Sequence, residues 1–138
     1  MDRIDEIVSR HAGREWPLLP ILHDVQAELG AIDSAAEARI AQLLNLTRAE
    51  VHGVVSFYHD FSATPDPRPV VQVCRAEACQ SRGVEAMIPA ARAAAADRVR
   101  IETVYCLGLC SVGPNARIGD ELHARLDADA LARLVEQA

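Results

Sequence analysis

The stretch Val70-Val71-Gln72-Val73-Cys74-Arg75-Ala76-Glu77-Ala78-Cys79-Gln80 holds two of the chain's four cysteines. The other two lie in Val99-Arg100-Ile101-Glu102-Thr103-Val104-Tyr105-Cys106-Leu107-Gly108-Leu109-Cys110-Ser111. The first pair is spaced C-x4-C, the second C-x3-C. Each follows a β-branched run of the kind that forms strands, so each sits where a strand gives way to a loop. Two such loops at one edge of one sheet bring four thiolates to one point. A metal ion or an iron–sulfur cluster is the natural guest of such a point.

Working outward, the segment between the pairs is helical. Val84, Met87, Ile88 and Ala91 recur at helical spacing, continuing to Ala96. Pro89 falls inside this pattern and predicts a kink or a late helix start. Beyond Pro114, residues 116–118 and 122–124 read as two short strands joined at Gly119-Asp120, a pair suited to a tight turn. Asp127 caps a last helix whose core face is Ala130, Leu131, Leu134 and Val135. The order is strand, helix, strand, hairpin, helix. The first crossover should be right-handed, with its two strands parallel. This is the order of a thioredoxin-like domain without the usual C-x-x-C.

Residues ahead of this region read as helices. Ile4, Ile7, Val8 and His11 share a face, and Gly13 ends that helix. Pro17 and Pro20 open the next, where a missing N–H costs nothing. Its stripe is Leu18, Leu22, Val25 and Leu29, and Gly30 suits its C-terminal cap. Ser34-Ala35-Ala36-Glu37 and Thr47-Arg48-Ala49-Glu50 both have capping-box form. Ile40, Ala41, Leu43 and Leu44 are the apolar contacts of the helix between them, which stops at Asn45. Val51, Val54, Val55 and Tyr58 share a face of the next, where Gly53 predicts close packing against a neighbour. Thr64-Pro65-Asp66-Pro67-Arg68-Pro69 is a stiff, extended connector. The division expected is a helical domain over 1–62, a Pro-rich linker over 63–69 and an α/β domain over 70–138. The fold class is α+β.

The chain has 138 residues and a formal net charge of −6, with no basic block and few aromatic residues. That argues against nucleic acid as a partner. No apolar run approaches the ~20 residues of a membrane helix. The charged N-terminus lacks the apolar core of a signal peptide, so a cytoplasmic location is expected. In a reducing compartment, clustered cysteines point to ligation or redox chemistry ahead of disulfides. A structural zinc site is the serious rival, since tetracysteine zinc sites use short spacings with C-x2-C as their habit. Neither pair here is C-x2-C. A larger iron–sulfur cluster suits longer loops, and plant-type ferredoxins use a C-x4-C loop. Gly108 and Gly113 suit a backbone wrapped closely about such a group, with N–H groups aimed at sulfur.

These residues carry a family resemblance. The C-x4-C pair, the intervening helix and strand, and Cys106-Leu107-Gly108-Leu109-Cys110 followed by Pro114 resemble the thioredoxin-like [2Fe-2S] ferredoxin family. Gly53-Val54-Val55-Ser56-Phe57-Tyr58 resembles that family's G-V-x-[ST]-F-Y segment in a helical N-terminal domain. The family includes the 24-kDa-type subunit of NADH dehydrogenase, the gamma subunit of NAD-dependent molybdenum formate dehydrogenases and the small diaphorase subunit of NAD-linked hydrogenases. The resemblance implies that Cys74, Cys79, Cys106 and Cys110 ligate one [2Fe-2S] cluster. It implies a non-catalytic electron-transfer subunit of an oxidoreductase complex. Its partners would be an FMN- and NAD-binding flavoprotein subunit and a molybdenum/iron–sulfur subunit that oxidises formate. Leu109, Gly113 and the short hairpin at Gly119-Asp120 look most like the formate dehydrogenase gamma subunit. The NADH-quinone oxidoreductase and hydrogenase branches are the alternatives, and a zinc-binding adaptor is the alternative of another class.

Other residues carry less. His11, His23, His52, His59 and His123 are dispersed and read as surface or packing residues. Arg75 and Arg82 flank the first ligand loop, where they either offset cluster charge or are simply solvated. Trp16 reads as an anchor of the helical domain or a partner contact. No nucleotide-binding glycine motif, Ser-His-Asp pattern or catalytic carboxylate pair is present, so NAD, flavin and molybdopterin should bind elsewhere.

Overall fold

Four short helices account for the first part of the chain in the computed structural model, which describes residues 2–138. They are α1 (Arg3–Arg10), α2 (Leu18–Leu29), α3 (Ser34–Leu44) and α4 (Arg48–Phe57). None is long enough to be stable alone. Their apolar stripes converge instead on Ile7, Ile21, Leu22, Val25, Ile40 and Val51, all fully buried. Each such side chain contributes ~1.5–3 kcal/mol relative to exposure. Gly30 closes α2 with φ +79°, a left-handed conformation that favours glycine.

Several expectations for this unit are corrected. Asp33, not Ser34, caps α3: its carboxylate accepts the Ala36 N–H at 2.8 Å, and Ser34 is already helical. Glu37 is therefore free of the cap and meets His52 Nδ1 at 3.0 Å. The Thr47–Glu50 capping box does form, with both reciprocal bonds. Leu29 and Leu43 lie outside the core, because the outer edge of each stripe turns to solvent. Gly53 makes no close approach to another element: among the described residues, a methyl there would meet no atom beyond its own turns of helix within 4 Å. Trp16 is 89% exposed and so does not anchor the helical core.

The second part is built on a four-stranded sheet. Strands β1 (Val70–Cys74) and β2 (Arg100–Val104) pair in parallel, with Cys74 opposite Val104. Strand β3 (Ala116–Ile118) runs antiparallel to β1, and β4 (Glu121–His123) antiparallel to β3. The sheet order is β2-β1-β3-β4. The final strand lies one residue earlier than its apolar pattern suggests, because the turn needs only Gly119 and Asp120. Helices α5 (Glu77–Ser81), α6 (Val84–Ala95) and α7 (Ala128–Gln137) complete it. Val71 and Val73 of β1 join Val84, Met87, Ile88 and Ala91 of α6 and Leu131 and Val135 of α7 in one core. Pro89 lies inside α6. Its missing N–H and ring cost ~3 kcal/mol, offset by the buried face around it. Asp127 caps α7 by accepting the Ala130 N–H at 2.7 Å. The chain thus joins helices to a mixed sheet in the α+β manner, the second part being thioredoxin-like.

The two parts are separate compact units, divided between Pro67 and Arg68. No helix among the described residues is long and apolar enough to cross a membrane.

Candidate metal centre

Parallel pairing of β1 and β2 puts their C-terminal ends side by side, and the cysteines follow from that. Cys74 is the last residue of β1. Cys79 lies in α5, one turn beyond. Cys106 follows β2 by two residues, and Cys110 opens a 3-10 turn, Cys110–Val112. The sulfurs of Cys74, Cys79 and Cys110 all lie within 4.8 Å of one another. The Cys106 sulfur is 3.4 Å from that of Cys110. Three of the four cysteines named from the sequence therefore gather at one sheet edge, the Cys106 sulfur stands outside that group and meets it at Cys110, and none of the four is in a disulfide.

Burial is graded across the site. Cys74 and Cys79 are fully buried, Cys110 is half-buried and Cys106 is exposed. The outer loop is tightly wound. Cys106 has φ +86° and Gly108 φ +80°. For a residue with a side chain such a conformation costs ~1–3 kcal/mol and is found where surrounding structure enforces it. It turns the Cys106 N–H onto Cys74 Sγ at 3.3 Å and the Gly108 N–H onto Cys106 Sγ at 3.3 Å.

The electrostatics are those of crowded sulfurs. Burial pushes the Cys79 thiol up, and the neighbouring Cys74 sulfur adds to it. The Cys110 thiol is pushed up to about 12, first by its bond with Cys106 and then by burial and the other sulfurs. Burial also works to raise Cys74, but N–H groups of Ala76, Cys106 and Leu107 outweigh it and hold that thiol below its ordinary value. Several thiolates in one place repel. A bound cationic centre removes that conflict, since thiolate is the ligand form.

The donor set fits an iron–sulfur cluster: soft sulfur ligands with backbone N–H groups pointing at them. Gly113 supplies a further test of fit. A Cβ there would lie 2.7 Å from Cys79 Sγ, so the chain passes against the sulfur as closely as a bare backbone allows.

Asn115 is the residue that sequence reasoning missed. Its side chain is fully buried, and its Nδ2–H donates to Cys79 Sγ at 3.6 Å. The Asn115 carbonyl accepts the Cys74 N–H at 3.1 Å. Its Oδ1 has no hydrogen-bond partner among the described residues. No local sequence signal marks it: only the β1–β3 register, continued one residue past Val73 and Ala116, sets Asn115 beside Cys74. Arg75 is committed elsewhere, with Nε and Nη2 on the Glu85 carboxylate and Nη1 3.3 Å from Thr103 Oγ1. His11 bonds Asp24, His23 packs its ring at a tilt against Phe61 and His52 meets Glu37, so these three stay outside the site.

The pattern of the thioredoxin-like [2Fe-2S] ferredoxin family matches residues 4–138. A component of the NADH-quinone oxidoreductase of Rhizobium meliloti is 28% identical over 98% of this chain and 86% of its own length. The NADP-reducing hydrogenase subunit HndA of Solidesulfovibrio fructosivorans is 23% identical over 90% of this chain and 78% of its own. A chain from the crystal structure of an air-oxidised NAD+-reducing [NiFe]-hydrogenase superposes with a TM-score of 0.72 at 28% identity. That match covers 88% of the present chain, which spans 22% of the longer one. By sequence pattern along nearly its whole length, and by cysteines gathered at one sheet edge, the chain belongs to the thioredoxin-like [2Fe-2S] ferredoxin family and its cofactor is a [2Fe-2S] cluster.

Proposed function

We propose that Cys74, Cys79, Cys106 and Cys110 together ligate the cluster, and that the chain is an electron-transfer subunit of an NAD-linked oxidoreductase complex. The observation that carries this is the convergence of the cysteine sulfurs at the ends of adjacent parallel strands. When bound, a [2Fe-2S] cluster supplies one-electron transfer. The protein's own part is to hold and shield it. Cys74 and Cys79 present buried sulfurs, the Cys106 and Gly108 N–H groups hold the outer loop on sulfur, and Asn115 closes the inner side. Cys106 is the exposed edge, through which a redox partner has its shortest approach.

The partner proposed is a subunit that binds FMN and NAD, with the chain acting as the 24-kDa-type component beside it. The named relatives belong to NADH-quinone oxidoreductase and to NADP- or NAD+-reducing hydrogenases, which supports this general role. Within it, Leu109, Gly113 and the short hairpin favour the gamma subunit of a formate dehydrogenase, alongside a molybdenum/iron–sulfur subunit that oxidises formate. The relatives' names favour the NADH-quinone oxidoreductase or hydrogenase branch as the second reading. A cytoplasmic location accompanies either.

The test is anaerobic spectroscopy of the loaded chain. Dithionite should bleach its visible absorption and NADH alone should not. With the flavoprotein subunit added, NADH should bleach it too. Stoichiometric bleaching by NADH without a partner contradicts the reading. Copurification and gene proximity with a formate-oxidising rather than a quinone- or hydrogen-linked subunit decides the branch.

A further inference from the structure

We propose that the outer pair, Cys106 and Cys110, is a site of reversible oxidation in the cluster-free chain: Cys106 reacts with a small disulfide of the glutathione class, and Cys110 then closes an intramolecular disulfide that blocks loading. The block on loading rests on the ligand role proposed for these two residues; the oxidation does not.

The four sulfurs are unequal in two respects. Cys106 is exposed and Cys110 half-buried, whereas Cys74 and Cys79 are fully buried. Reagents in solution therefore meet Cys106 first, and thiol oxidation follows access to the sulfur. Cys106 also stands apart from the group formed by Cys74, Cys79 and Cys110. Its contact with that group is Cys110, whose S–H donates to Cys106 Sγ at 3.4 Å. A disulfide needs about 2 Å between sulfurs, and the exposed Cys106 side chain is free to turn through the difference. Gly108, midway between the pair at φ +80°, already folds the loop back on itself. The inner sulfurs are covered instead: the Cys106 N–H lies 3.3 Å from Cys74 Sγ, and the buried Asn115 amide lies 3.6 Å from Cys79 Sγ.

The reaction balances with the oxidant named. The Cys106 sulfur bonds to one sulfur of the small disulfide, and one small thiolate leaves. Capping Cys106 removes the acceptor of the Cys110 S–H. Cys110 gives that proton to water and bonds to Cys106 Sγ, and the second small thiolate leaves. Two protein thiols thus lose two protons and two electrons, and one small disulfide becomes two small thiols. An exposed disulfide is also open to reduction, so thiols of the same class reverse the step. While it lasts, two of the four proposed ligands are withheld. In the loaded chain the same sulfurs are engaged and the reaction is closed to them.

The test uses the full chain, cluster-free and reduced, treated anaerobically with oxidised glutathione. Trypsin reads the pairing, because no Lys or Arg lies between Cys106 and Cys110, whereas Arg75 separates Cys74 from Cys79. The outer disulfide leaves peptide 101–117 whole and lighter by two hydrogens; any bond involving Cys74 or Cys79 links two peptides. We expect the lightened peptide, with Cys74 and Cys79 still open to alkylation after denaturation. Cys110→Ser should hold glutathione as a stable adduct on Cys106, and Cys106→Ser should leave the peptide unoxidised. The parent's peptide decides the proposal even where a variant fails to fold. Cadmium ion reads loading without sulfide, which would itself reduce a disulfide. The thiolate-to-cadmium absorption of the reduced chain should fall sharply on oxidation and return with a phosphine reductant. Linked peptides, four cysteines oxidised at equal rates, or an unreacted peptide 101–117 each overturn the proposal. Cadmium absorption untouched by the outer disulfide overturns the block on loading. An anaerobically purified chain without iron and sulfide would instead sink the ligand reading, a result read on a separate sample.

Discussion

Asn115 shows how much a single buried amide can matter beside the cysteines. Only its NH2 end suits a thiolate ligand, and that end faces Cys79 Sγ, leaving Oδ1 unpaired among the described residues. A hydrogen bond to a charged acceptor is worth ~1.5–3 kcal/mol, and it strengthens as the acceptor gains negative charge. Asn115→Leu, close in volume, should therefore lower the reduction potential of the loaded chain while leaving its iron content intact; redox titration by EPR reads the shift. A potential unchanged or raised would remove Asn115 from the tuning of the site. The ligand assignment has its own check. Each of Cys74→Ser, Cys79→Ser, Cys106→Ser and Cys110→Ser replaces soft sulfur by hard oxygen and should lose or alter the reduced-state EPR signal; an unaltered spectrum excludes that residue. The cysteines were legible in the sequence because their pairing and the β-branched runs before them fix both chemistry and place. Asn115 was not, because nothing in its neighbourhood marks a polar residue as buried. Its role appears only once strand register sets it beside Cys74.

Helix starts separate what local sequence encodes from what neighbours decide. Ser34 and Asp33 both have capping side chains, and a capping-box pattern beginning at Ser34 is as good on paper as the one at Thr47. The structure uses Asp33, since Glu37, fourth in that pattern, turns to His52 instead of the helix end. Asp33→Ala and Thr47→Ala should each destabilise the helical unit by ~1 kcal/mol, while Ser34→Ala should change its melting by little; equal losses at 33 and 34 would contradict the cap assignment. Gly53 failed as a packing signal for a related reason: glycine in a helix marks either close approach or mere tolerance, and only the neighbours distinguish the two. The link between α1 and α3 carries a pH signature. Arg39 places Nε and Nη2 on the Asp5 carboxylate, both at 2.7 Å. This bond holds the Asp5 carboxyl below its ordinary value, against a smaller opposing effect of burial. A lowered carboxyl stabilises the fold above its unfolded value, and that contribution disappears as pH falls through the lowered one. Arg39→Ala should thus melt earlier than the parent at pH 7, with the gap closing in acid. A gap that persists or widens at low pH would assign Arg39 a packing role instead.

At the scale of the whole molecule the chain is asymmetric in charge as well as in fold. Residues 1–67 hold 11 acidic side chains against 5 arginines, while residues 68–138 hold 9 of each. The entire net charge of −6 thus belongs to the helical unit, and the cysteine-bearing unit is neutral. That unit has its own core around Val71, Val73, Ile88 and Leu131, and every cysteine lies within it. We expect a chain beginning at Arg68 to fold, load iron and give the same reduced-state EPR spectrum as the full chain, with assembly into the complex impaired. A truncated chain that neither folds nor takes up iron would contradict the proposed division. The order of strands and helices, and the parallel pairing that gathers the cysteines, could be read from hydrophobic periodicity and the rule for crossovers. Which outer residues of each helix meet solvent could not, because that depends on how far each stripe turns from the core. The gathered sulfurs hold a two-iron cluster rather than a zinc ion. Iron, acid-labile sulfide and zinc measured together on the anaerobically purified chain test it most directly. Two irons and two sulfides per chain, with negligible zinc, are the expected result. One zinc per chain, with no labile sulfide, would contradict it.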